Sequence, residues 1–460
     1  MEEVDVVIVG GGPAGCRAAE AAAVGGADAV LLEKGVPRAD RHGLGADSTD
    51  AAGFLDYWVD IFDIPFESIP QEIVLRELRG GAFIGPTESC ELYSTGIDAS
   101  YDGFGFTFDR VRMDDWLQER AERAGAEVRV GQSVSQIESE IGAGHSHVVE
   151  LSDGGRLRAE YLVCADGPQR TVTLPVLDQF LPADRSAADV LGPRTSNHVA
   201  YQEYRRFPKE LVESDILKFW WGYIPGETAY PWVFPNDGRV ARVGLTMPMA
   251  IDLETIPDRA DYPLLDPDDE TCPPGSVYLR RLLEYEYGDS YDIEEDFPLV
   301  RDRGKREGTE AYAISSTRPI DSPTPAGVAV VGGAMGTTSA FHEGGYHVAA
   351  RTGWIAGELA AAGELTRYNG AWKRAIGDEI RRNVSFAKLV EDYGPADWDR
   401  AFRIARRMTA SDGRYGDDRL IRRRFSAGAT ALGLLARYRW TKYGNRNDRY
   451  TQLHEDDYRF

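Results

Sequence analysis

The chain has 460 residues, of which 42% are hydrophobic, and this supports two or three packed regions with an ordinary globular core. It carries 52 Lys and Arg against 75 Asp and Glu, a formal net charge of -23, which excludes nucleic acid as a partner. The sequence has no run of about eighteen apolar residues, so it predicts no membrane-spanning helix.

The acidic residues are spread along the whole chain, and Lys is scarce relative to Arg. Such a surface stays soluble in very high salt, where charge repulsion is screened, and this is typical of a halophile. An acidic mesophilic protein is the alternative interpretation. The four cysteines show neither CxxC nor CxH spacing, so we expect no metal site and no disulfide framework.

The first predicted unit is a buried strand at residues 4–9, a glycine-rich turn, a helix and a second strand that ends at Glu33. Because this strand begins at Val4, no signal peptide is expected before it, and we predict a cytoplasmic protein. In this motif Gly10 permits the tight turn, Gly12 lets a pyrophosphate approach the backbone, and Gly15 lets the helix pack closely. The helix N-terminus also attracts anions.

Glu33 ends the second strand, where its carboxylate can accept hydrogen bonds from both ribose hydroxyls and repel a 2'-phosphate. The unit therefore predicts the adenosine diphosphate part of FAD and excludes NADP at this position. The residues predicted to contact the cofactor here are Gly10, Gly12, Pro13, Ala14, Gly15, Glu33 and Lys34.

Residues 40–108 are rich in Gly, Asp and aromatic residues and are expected to wrap over the cofactor. An amphipathic helix follows and ends near Gly125, with Arg110 just before it, where the side chain can meet the cofactor. A strand at 127–130 and a hairpin-like pair then lead into a sharp turn. Asp166 and Gly167 in that turn are predicted to lie beside the cofactor at the carboxyl edge of the sheet.

Residues 195–300 are rich in Tyr, Trp, Phe and Pro and alternate in places, which predicts an antiparallel sheet. Tyr230, Trp232 and Phe234 occupy alternate positions of one strand, so their rings share one face. Flat apolar rings suit an apolar ligand without charge. Patterning alone favours simple core packing for these rings.

A second buried strand at 328–331 leads into Gly332, Gly333 and Gly336, and Gly344 and Gly345 then open a helix. The chain is thus predicted to be α/β, with a discontinuous Rossmann-type FAD-binding domain at 1–365. An antiparallel-sheet substrate domain is inserted at about 195–305, and a helical C-terminal region follows at 366–460.

On these residues the chain resembles flavoproteins of the geranylgeranyl reductase family, which share the fold of glutathione reductase and of aromatic hydroxylases of the hydroxybenzoate type. The resemblance implies that residues 332–353 form the second FAD contact. Together with the acidic surface, it predicts a haloarchaeal source. It also implies that Tyr230, Trp232 and Phe234, which match a YxWxFP motif, line an isoprenoid tunnel.

Two positions depart from the family pattern. Gly333 stands where the family has an Asp that receives a ribityl hydroxyl of FAD, and an unpaired buried hydroxyl costs about 1 to 3 kcal/mol. Thr246 stands where the GxG after the aromatic motif has its last glycine. Loss of the cofactor, leaving a non-enzymatic protein, is therefore one of the open alternatives.

The activity that the resemblance implies is reduction of C=C bonds in a geranylgeranyl or polyprenyl lipid. Hydride comes from the flavin, so the protein must position the alkene, exclude water and supply a proton. His342 and His42 are the candidate proton donors, because histidine titrates near neutral pH. A hydrogen-bonding spacer in a glycine-rich loop is the other interpretation of each.

The electron source must be external, because there is no second GxGxxG unit. A ferredoxin, NAD(P)H or a deazaflavin would serve. The basic segment at 422–442 could lie on the inner face of the cell membrane, or it could dock on the acidic body of the protein. The other open functions are a flavin monooxygenase and an electron relay to quinone, the latter without a cysteine cluster for an iron–sulfur centre.

Overall fold

The computed structural model describes residues 1–35, 52–142, 144–191, 197–315, 318–409 and 428–460. The chain is a mixed α/β protein, and the described strands form two seven-stranded sheets and one three-stranded sheet. The strands are β1 (Glu2–Val9), β2 (Ala29–Glu33), β3 (Gly53–Leu55), β4 (Val74–Leu78), β5 (Gly80–Ile84), β6 (Ser89–Leu92), β7 (Gly105–Phe108), β8 (Glu127–Val130), β9 (Val134–Ile141), β10 (His145–Leu151), β11 (Arg156–Cys164), β12 (His198–Arg206), β13 (Ile216–Trp220), β14 (Tyr230–Pro235), β15 (Val240–Pro248), β16 (Thr309–Ile314) and β17 (Val328–Val330).

The helices of the described residues lie between the strands along the chain and make up the C-terminal region. They are α1 (Pro13–Val24), α2 (Asp56–Phe62), α3 (Arg110–Ala124), α4 (Thr173–Asp178), α5 (Ala187–Leu191), α6 (Lys209–Val212), α7 (Gly275–Tyr287), α8 (Ile293–Asp296), α9 (Gly332–Met335), α10 (Tyr346–Ala361), α11 (Tyr368–Val390), α12 (Pro395–Thr409) and α13 (Gly428–Gly444).

The first large sheet has the strand order β8-β2-β1-β11-β10-β9, with β17 also paired to β11. The central strands β1, β2, β11 and β17 run parallel to one another. Residues Val6, Val7 and Ile8 of β1 are fully buried, as expected for a parallel strand that helices cover on both faces. The predicted Rossmann-type architecture is confirmed.

Helices α1 and α10 pack against each other through glycine. A Cβ at Gly353 or Gly357 of α10 would overlap the carbonyl oxygen of Ala14 or Ala18 of α1. The two backbones therefore approach more closely than any side chain would allow. This contact joins the helix after the first glycine-rich turn to the helix after the second one.

The second large sheet has the order β16-β12-β15-β14-β13-β5-β6 and is antiparallel except where β5 runs parallel to β13. It extends beyond the predicted insertion at 195–305 at both ends. Strand β16 begins at Thr309, and β5 and β6 come from residues 80–92. The reason is that β13 offers an open edge, along which β5 pairs from Ile216↔Gly80 to Trp220↔Ile84.

The two faces of this second sheet pack against different partners. Val233, Val243 and Leu245 belong to one cluster with helix α7. The opposite face carries Tyr230, Trp232 and Phe234 of β14, and we call these three the front-face rings. They cluster with Leu389 and Val390 of α11 and with Trp398 and Phe402 of α12.

The C-terminal region is helical, as predicted, and α11, α12 and α13 pack over the front-face rings and over one another. Phe386 of α11 lies 5.4 Å from the ring of Phe341 and stacks on Tyr438 of α13. Within the ranges given above, no helix combines the length and the apolar character needed to cross a bilayer.

Candidate functional site

The first glycine-rich turn has two glycines that the fold itself requires. Gly10 has φ of 109°, and a Cβ there would overlap the carbonyl oxygen of Ala165 at the end of β11. A Cβ at Gly15 would overlap the carbonyl oxygen of Gly10. These two residues therefore set the close approach of β1, α1 and β11 that the sequence predicted.

Gly12 is different, because no atom of the described chain lies within 4 Å of a Cβ placed there. It is the N-cap of α1, with Pro13 in the first turn and no side chain capping the helix. Neither packing nor left-handed backbone explains this glycine, since its φ is -76°. An open, uncapped helix N-terminus fits the pyrophosphate that the motif predicts.

Glu33 stands at the end of β2, as predicted for the ribose-binding acid. Its two carboxylate oxygens each accept one amide N–H, from Gly11 at 2.5 Å and from Gly35 at 2.5 Å. Each oxygen keeps a further lone pair, so the carboxylate can still accept bonds from ribose hydroxyls. Lys34, the next residue, is exposed.

Arg110 begins α3 and is buried next to the start of α10. Its Nε donates to Asp114 at 2.8 Å, and the guanidinium lies 4.6 Å from the ring centre of Tyr346. Tyr346 in turn donates from its hydroxyl to Asp114 at 2.9 Å. Arg110 is thus fixed against Tyr346, the first residue of α10.

Asp166 lies at the carboxyl edge of the sheet, but its carboxylate has a structural task. It accepts the backbone N–H groups of Val172 at 2.6 Å and Thr173 at 3.0 Å and thereby caps α4. The neighbouring Gly167 has φ of 73° and no atom within 4 Å of a Cβ. Contact with the cofactor from this turn is therefore proposed for the Gly167 backbone, whereas the Asp166 side chain holds the turn in place.

The second glycine-rich turn lies directly against the first. Gly332 has φ of 60°, and a Cβ there would lie 2.9 Å from that of Ala14 and 3.1 Å from that of Ala349. Gly336 ends the short helix α9 with φ of 86°. The residues predicted from two distant parts of the chain are therefore brought together at one edge of the sheet.

Gly333, the departure from the family Asp, faces Pro168. A Cβ at Gly333 would lie 3.3 Å from Cδ of that proline, slightly closer than ordinary van der Waals contact, and 3.4 Å from its N. The space that an aspartate would need is thus partly taken by the turn that follows Asp166. This gives a physical reason for the glycine.

Arg170 was missed in the sequence and ties the second glycine-rich turn to the turn that follows Asp166. Its side chain is almost fully buried. It donates to the carbonyls of Ala334 at 2.8 Å and Gly333 at 3.1 Å and to the hydroxyl of Ser315 at 2.8 Å. Burial lowers the pKa of Arg170 to about 10, so it stays charged at neutral pH. In the sequence, the only feature that could have indicated this role was an Arg four residues after Asp166.

His342 lies in the loop between α9 and α10, with its side chain 21% exposed. Its Nδ1 accepts the N–H of Gly344 at 3.2 Å, and Nε2 lies 3.3 Å from Asn383 Nδ2. Burial, with the nearby charge of Arg382, lowers the pKa of His342 to about 3. The imidazole is therefore neutral at physiological pH, and the role of His342 as a proton donor stays a prediction.

Glu343, the next residue, has φ of 57°, a left-handed conformation that costs a side chain about 1 to 3 kcal/mol. Its side chain is 3% exposed. It accepts hydrogen bonds from the hydroxyls of Thr246 and Thr228, the latter at 3.3 Å. Burial raises the pKa of Glu343 from its ordinary value of 4.5 to about 8, so the carboxyl is protonated at neutral pH.

The front-face rings form part of a continuous aromatic layer. Tyr230 stacks on Trp221 at 4.3 Å between ring centres, and Trp221 stacks on Phe341 at 5.3 Å. Phe341 belongs to the same loop as His342. The hydroxyl of Tyr230 donates to the carbonyl of His342 at 2.7 Å, which joins the aromatic strand to the loop after the second glycine-rich turn.

The structure explains why the motif that follows the aromatic strand begins with a glycine, Gly244. A Cβ there would overlap the indole of Trp232, so the ring lies directly on the backbone of β15. Thr246, in place of the second glycine, pairs in register with Tyr230 and bonds to Glu343. The prediction that the three rings share one face agrees with this register, while the tunnel itself stays a prediction.

The structure thus brings both glycine-rich turns, Glu33 and the Asp166–Gly167 turn into contact with one another. Arg110 packs on Tyr346 at the start of α10, and Tyr230 joins the front-face rings to the 342–345 loop. His42, the second candidate proton donor, lies outside the described residues. Glu343 and Thr246 were visible in the sequence, but their contact across about a hundred residues was not.

The comparisons with known proteins agree with this geometry. The family model described as an FAD binding domain matches residues 5–42. Digeranylgeranylglycerophospholipid reductase 2 of Methanothermobacter thermautotrophicus is 26% identical over 410 residues, which cover 87% of this chain and 91% of the relative. The FAD cofactor and the resemblance to the geranylgeranyl reductase family are confirmed, and the haloarchaeal source stays a prediction.

Two solved structures have the same fold. A geranylgeranyl bacteriochlorophyll reductase-like protein from Thermoplasma acidophilum superposes with a TM-score of 0.66 at 20% identity and covers 95% of this chain and 100% of that one. The myxobacterial chondrochloren halogenase, an FAD-dependent halogenase, has a TM-score of 0.58 at 18% identity, covering 98% and 100%. At such identities these structures establish the architecture and leave the reaction open.

Proposed function

We propose that this FAD-dependent oxidoreductase saturates carbon–carbon double bonds in the geranylgeranyl or polyprenyl chains of a lipid. The named relative is a digeranylgeranylglycerophospholipid reductase that aligns along 87% of this chain. The observation that carries the proposal is the bond from Tyr230 to the carbonyl of His342. It joins an aromatic strand directly to the loop of the second cofactor turn.

The residues present fit FAD. The open N-terminus at Gly12 and the backbone at Gly167 leave room for a ligand, and Glu33 offers carboxylate lone pairs to a ribose. When bound and reduced, FAD supplies the hydride that alkene saturation needs. The protein must orient the alkene, keep water away and provide a proton.

The front-face rings are suited to orienting an alkene. Tyr230, Trp232 and Phe234 are each buried, with neighbouring ring centres 5.8 and 6.3 Å apart along β14. Rings offer a flat apolar surface without a charge, which complements a branched hydrocarbon and disfavours water. The buried row also removes solvent that would compete for the reacting carbons.

Electrons for a catalytic cycle are proposed to come from an external donor, either a ferredoxin, NAD(P)H or a deazaflavin. Contact with the inner face of the cell membrane is proposed through α13. Tyr438 on this helix packs against Phe386, whereas the indole of Trp440 is 77% exposed. An exposed Trp next to Arg437, Arg439 and Lys442 suits the interface of an anionic bilayer.

The test is an anaerobic incubation of the FAD-loaded protein with chemically reduced flavin and a geranylgeranyl phospholipid. We expect the lipid to gain two hydrogen atoms per saturated bond, as measured by mass spectrometry. An FAD-dependent monooxygenase of the aromatic-hydroxylase type is the alternative on this fold. A hydroxylated product that forms only with oxygen would replace our proposal with a monooxygenase. Electron transfer to a quinone without any change in the lipid would replace it with a relay.

A further inference from the structure

Glu343 is enclosed by side chains from three separate elements. Thr246 of β15 and Thr228, just before β14, both donate hydroxyl hydrogen bonds to its carboxyl group. His198 of β12 places Nε2 at 3.5 Å from Oε1. The acid in the cofactor loop is therefore held by the sheet that carries the front-face rings.

The surroundings of Glu343 favour its neutral form. In the part of the chain that the structure describes, no Lys or Arg forms an ion pair with Glu343. The titratable groups that face it are His198, whose own pKa burial lowers, Glu227, whose charge would repel a carboxylate, and Tyr230. A buried carboxyl group without a cation keeps its proton at neutral pH.

The position of Glu343 relates it to both partners of the proposed reaction. Thr246 is opposite Tyr230 in the β14–β15 register, so the carboxyl group lies at the Tyr230 end of the ring row. On its other side Glu343 is followed at once by Gly344 and Gly345, which lead into α10. The acid thus belongs to the predicted cofactor loop and lies at one end of the aromatic surface.

His342 offers no comparable proton. Its Nδ1 accepts the amide N–H of Gly344 and so has no hydrogen to give. Its Nε2 faces Asn383 and Glu379 of α11, at 3.3 and 3.8 Å. Nε2 is therefore turned to helix α11, whereas the carboxyl group of Glu343 contacts β15.

We propose that Glu343 is the proton donor of the alkene reduction, an inference that rests on the function proposed above. The alkene receives a hydride from the reduced flavin at one carbon. The O–H bond of Glu343 breaks, and its proton forms the new C–H bond at the other carbon. The alkene gains two electrons, the flavin loses two, and the carboxylate regains a proton from water after release of the product. The hydroxyls of Thr246 and Thr228 can donate to the transient carboxylate.

The first experiment reads the proton directly and needs no turnover. Infrared difference spectra of the FAD-loaded protein are recorded as the pH is raised, and the band of a protonated carboxylic acid is followed. We expect a band that disappears with a midpoint of about 8 and that is absent from Glu343→Gln. The matched control is Glu310→Gln, which changes another buried glutamate in the same sheet and should keep the band. A wild-type protein without such a band overturns the inference.

The second experiment measures reduction of the prenyl lipid at equal FAD content. We expect Glu343→Gln to lose about 10²- to 10⁴-fold in turnover, the usual contribution of a positioned acid, while Glu310→Gln keeps the wild-type rate. Wild-type turnover should fall as the pH rises through about 8. Equal turnover in Glu343→Gln and wild type overturns the proton donor alone, whereas an inactive wild type overturns the proposed function. A loss confined to His42→Asn would also overturn Glu343 as donor.

A third variant covers the case in which Glu343→Gln does not fold. Thr246→Val keeps the size of the side chain and removes the hydroxyl that stabilises the carboxylate. We expect the alkaline limb of the pH profile to move to higher pH, because the pKa of the acid rises when that bond is lost. An unshifted profile would contradict the assignment.

Discussion

The hydroxyl of Tyr230 donates to the carbonyl of His342 over a distance of 2.7 Å. This bond connects the strand that carries the family's aromatic motif to the loop that precedes α10. It spans 112 positions of the sequence and is part-buried, so its loss leaves a carbonyl without a partner in a largely apolar place. The substrate face and the cofactor loop are therefore expected to move together.

We predict that Tyr230→Phe keeps FAD but lowers both stability and turnover. Removing the hydroxyl leaves the carbonyl of His342 unsatisfied, which costs about 1 to 3 kcal/mol. The free energy of unfolding and the rate of lipid reduction are the measurements. A variant with wild-type stability and a wild-type rate would show that this bond plays no part in joining the loop to the strand.

Trp232→Ala is predicted to keep FAD and to slow alkene reduction. The matched control is Trp220→Ala, which makes the same change on a buried tryptophan in the cluster on the other face of the sheet. Both variants should lose about 3 to 5 kcal/mol of stability, the usual cost of such a truncation. Only Trp232→Ala should lower turnover per bound FAD, and an equal loss in both would remove the assignment of the front face to the substrate.

Gly12→Val is predicted to give colourless protein, because the side chain enters the open space assigned to the pyrophosphate. Gly394 provides a close control, since it precedes Pro395 at the start of α12 and likewise has nothing within 4 Å of a Cβ. Gly394→Val should therefore keep its flavin. Flavin content is read from the visible absorbance. A yellow Gly12→Val protein would show that the pyrophosphate does not bind at Gly12.

Gly333→Asp, which restores the family residue, is predicted to destabilise this protein. Its Cβ would press on Pro168 at 3.3 Å, and overpacking of this kind costs about 1 to 3 kcal/mol. The second substitution Pro168→Ala should recover much of that loss. Thermal unfolding of the single and double variants checks the prediction, which fails if Gly333→Asp alone is as stable as wild type.

The raised pKa of Glu343 predicts a pH dependence of stability. Between its ordinary value of 4.5 and about 8 the unfolded chain releases the proton while the folded chain keeps it. The contribution of Glu343 to the free energy of unfolding is therefore fully present at low pH. It falls across this window, with a slope of about 1.4 kcal/mol per pH unit for this single group. Glu343→Gln should remove that component. In denaturant unfolding, the free energy of unfolding of the variant should therefore rise relative to that of wild type from pH 5 to pH 8. A constant difference would contradict the raised pKa.

The sequence predicted the local parts of the site well. Gly10, Gly12 and Gly15 have a fixed spacing inside one strand–turn–helix unit, and each lies where that spacing implies. The alternation of Tyr230, Trp232 and Phe234 likewise agrees with their shared face. Such features depend on residues close in sequence, so periodicity is enough to find them.

The contacts between distant segments were beyond prediction. The pairing of β5 with β13 depends on an open sheet edge, and nothing in residues 80–84 identifies the partner strand. Arg170 and Glu343 reach carbonyls and hydroxyls about a hundred or more positions away. Burial lowers the pKa of His342 and raises that of Glu343, and residue type alone could not predict either shift.

The central claim is that an aromatic surface beside the cofactor loop holds a prenyl double bond for reduction. Its most direct test is the mass of a geranylgeranyl phospholipid after anaerobic incubation with the FAD-loaded protein and reduced flavin. The account predicts a gain of two hydrogen atoms per double bond, which Trp232→Ala reduces and Trp220→Ala does not. A lipid of unchanged mass, with flavin bound and fully reduced, would contradict it.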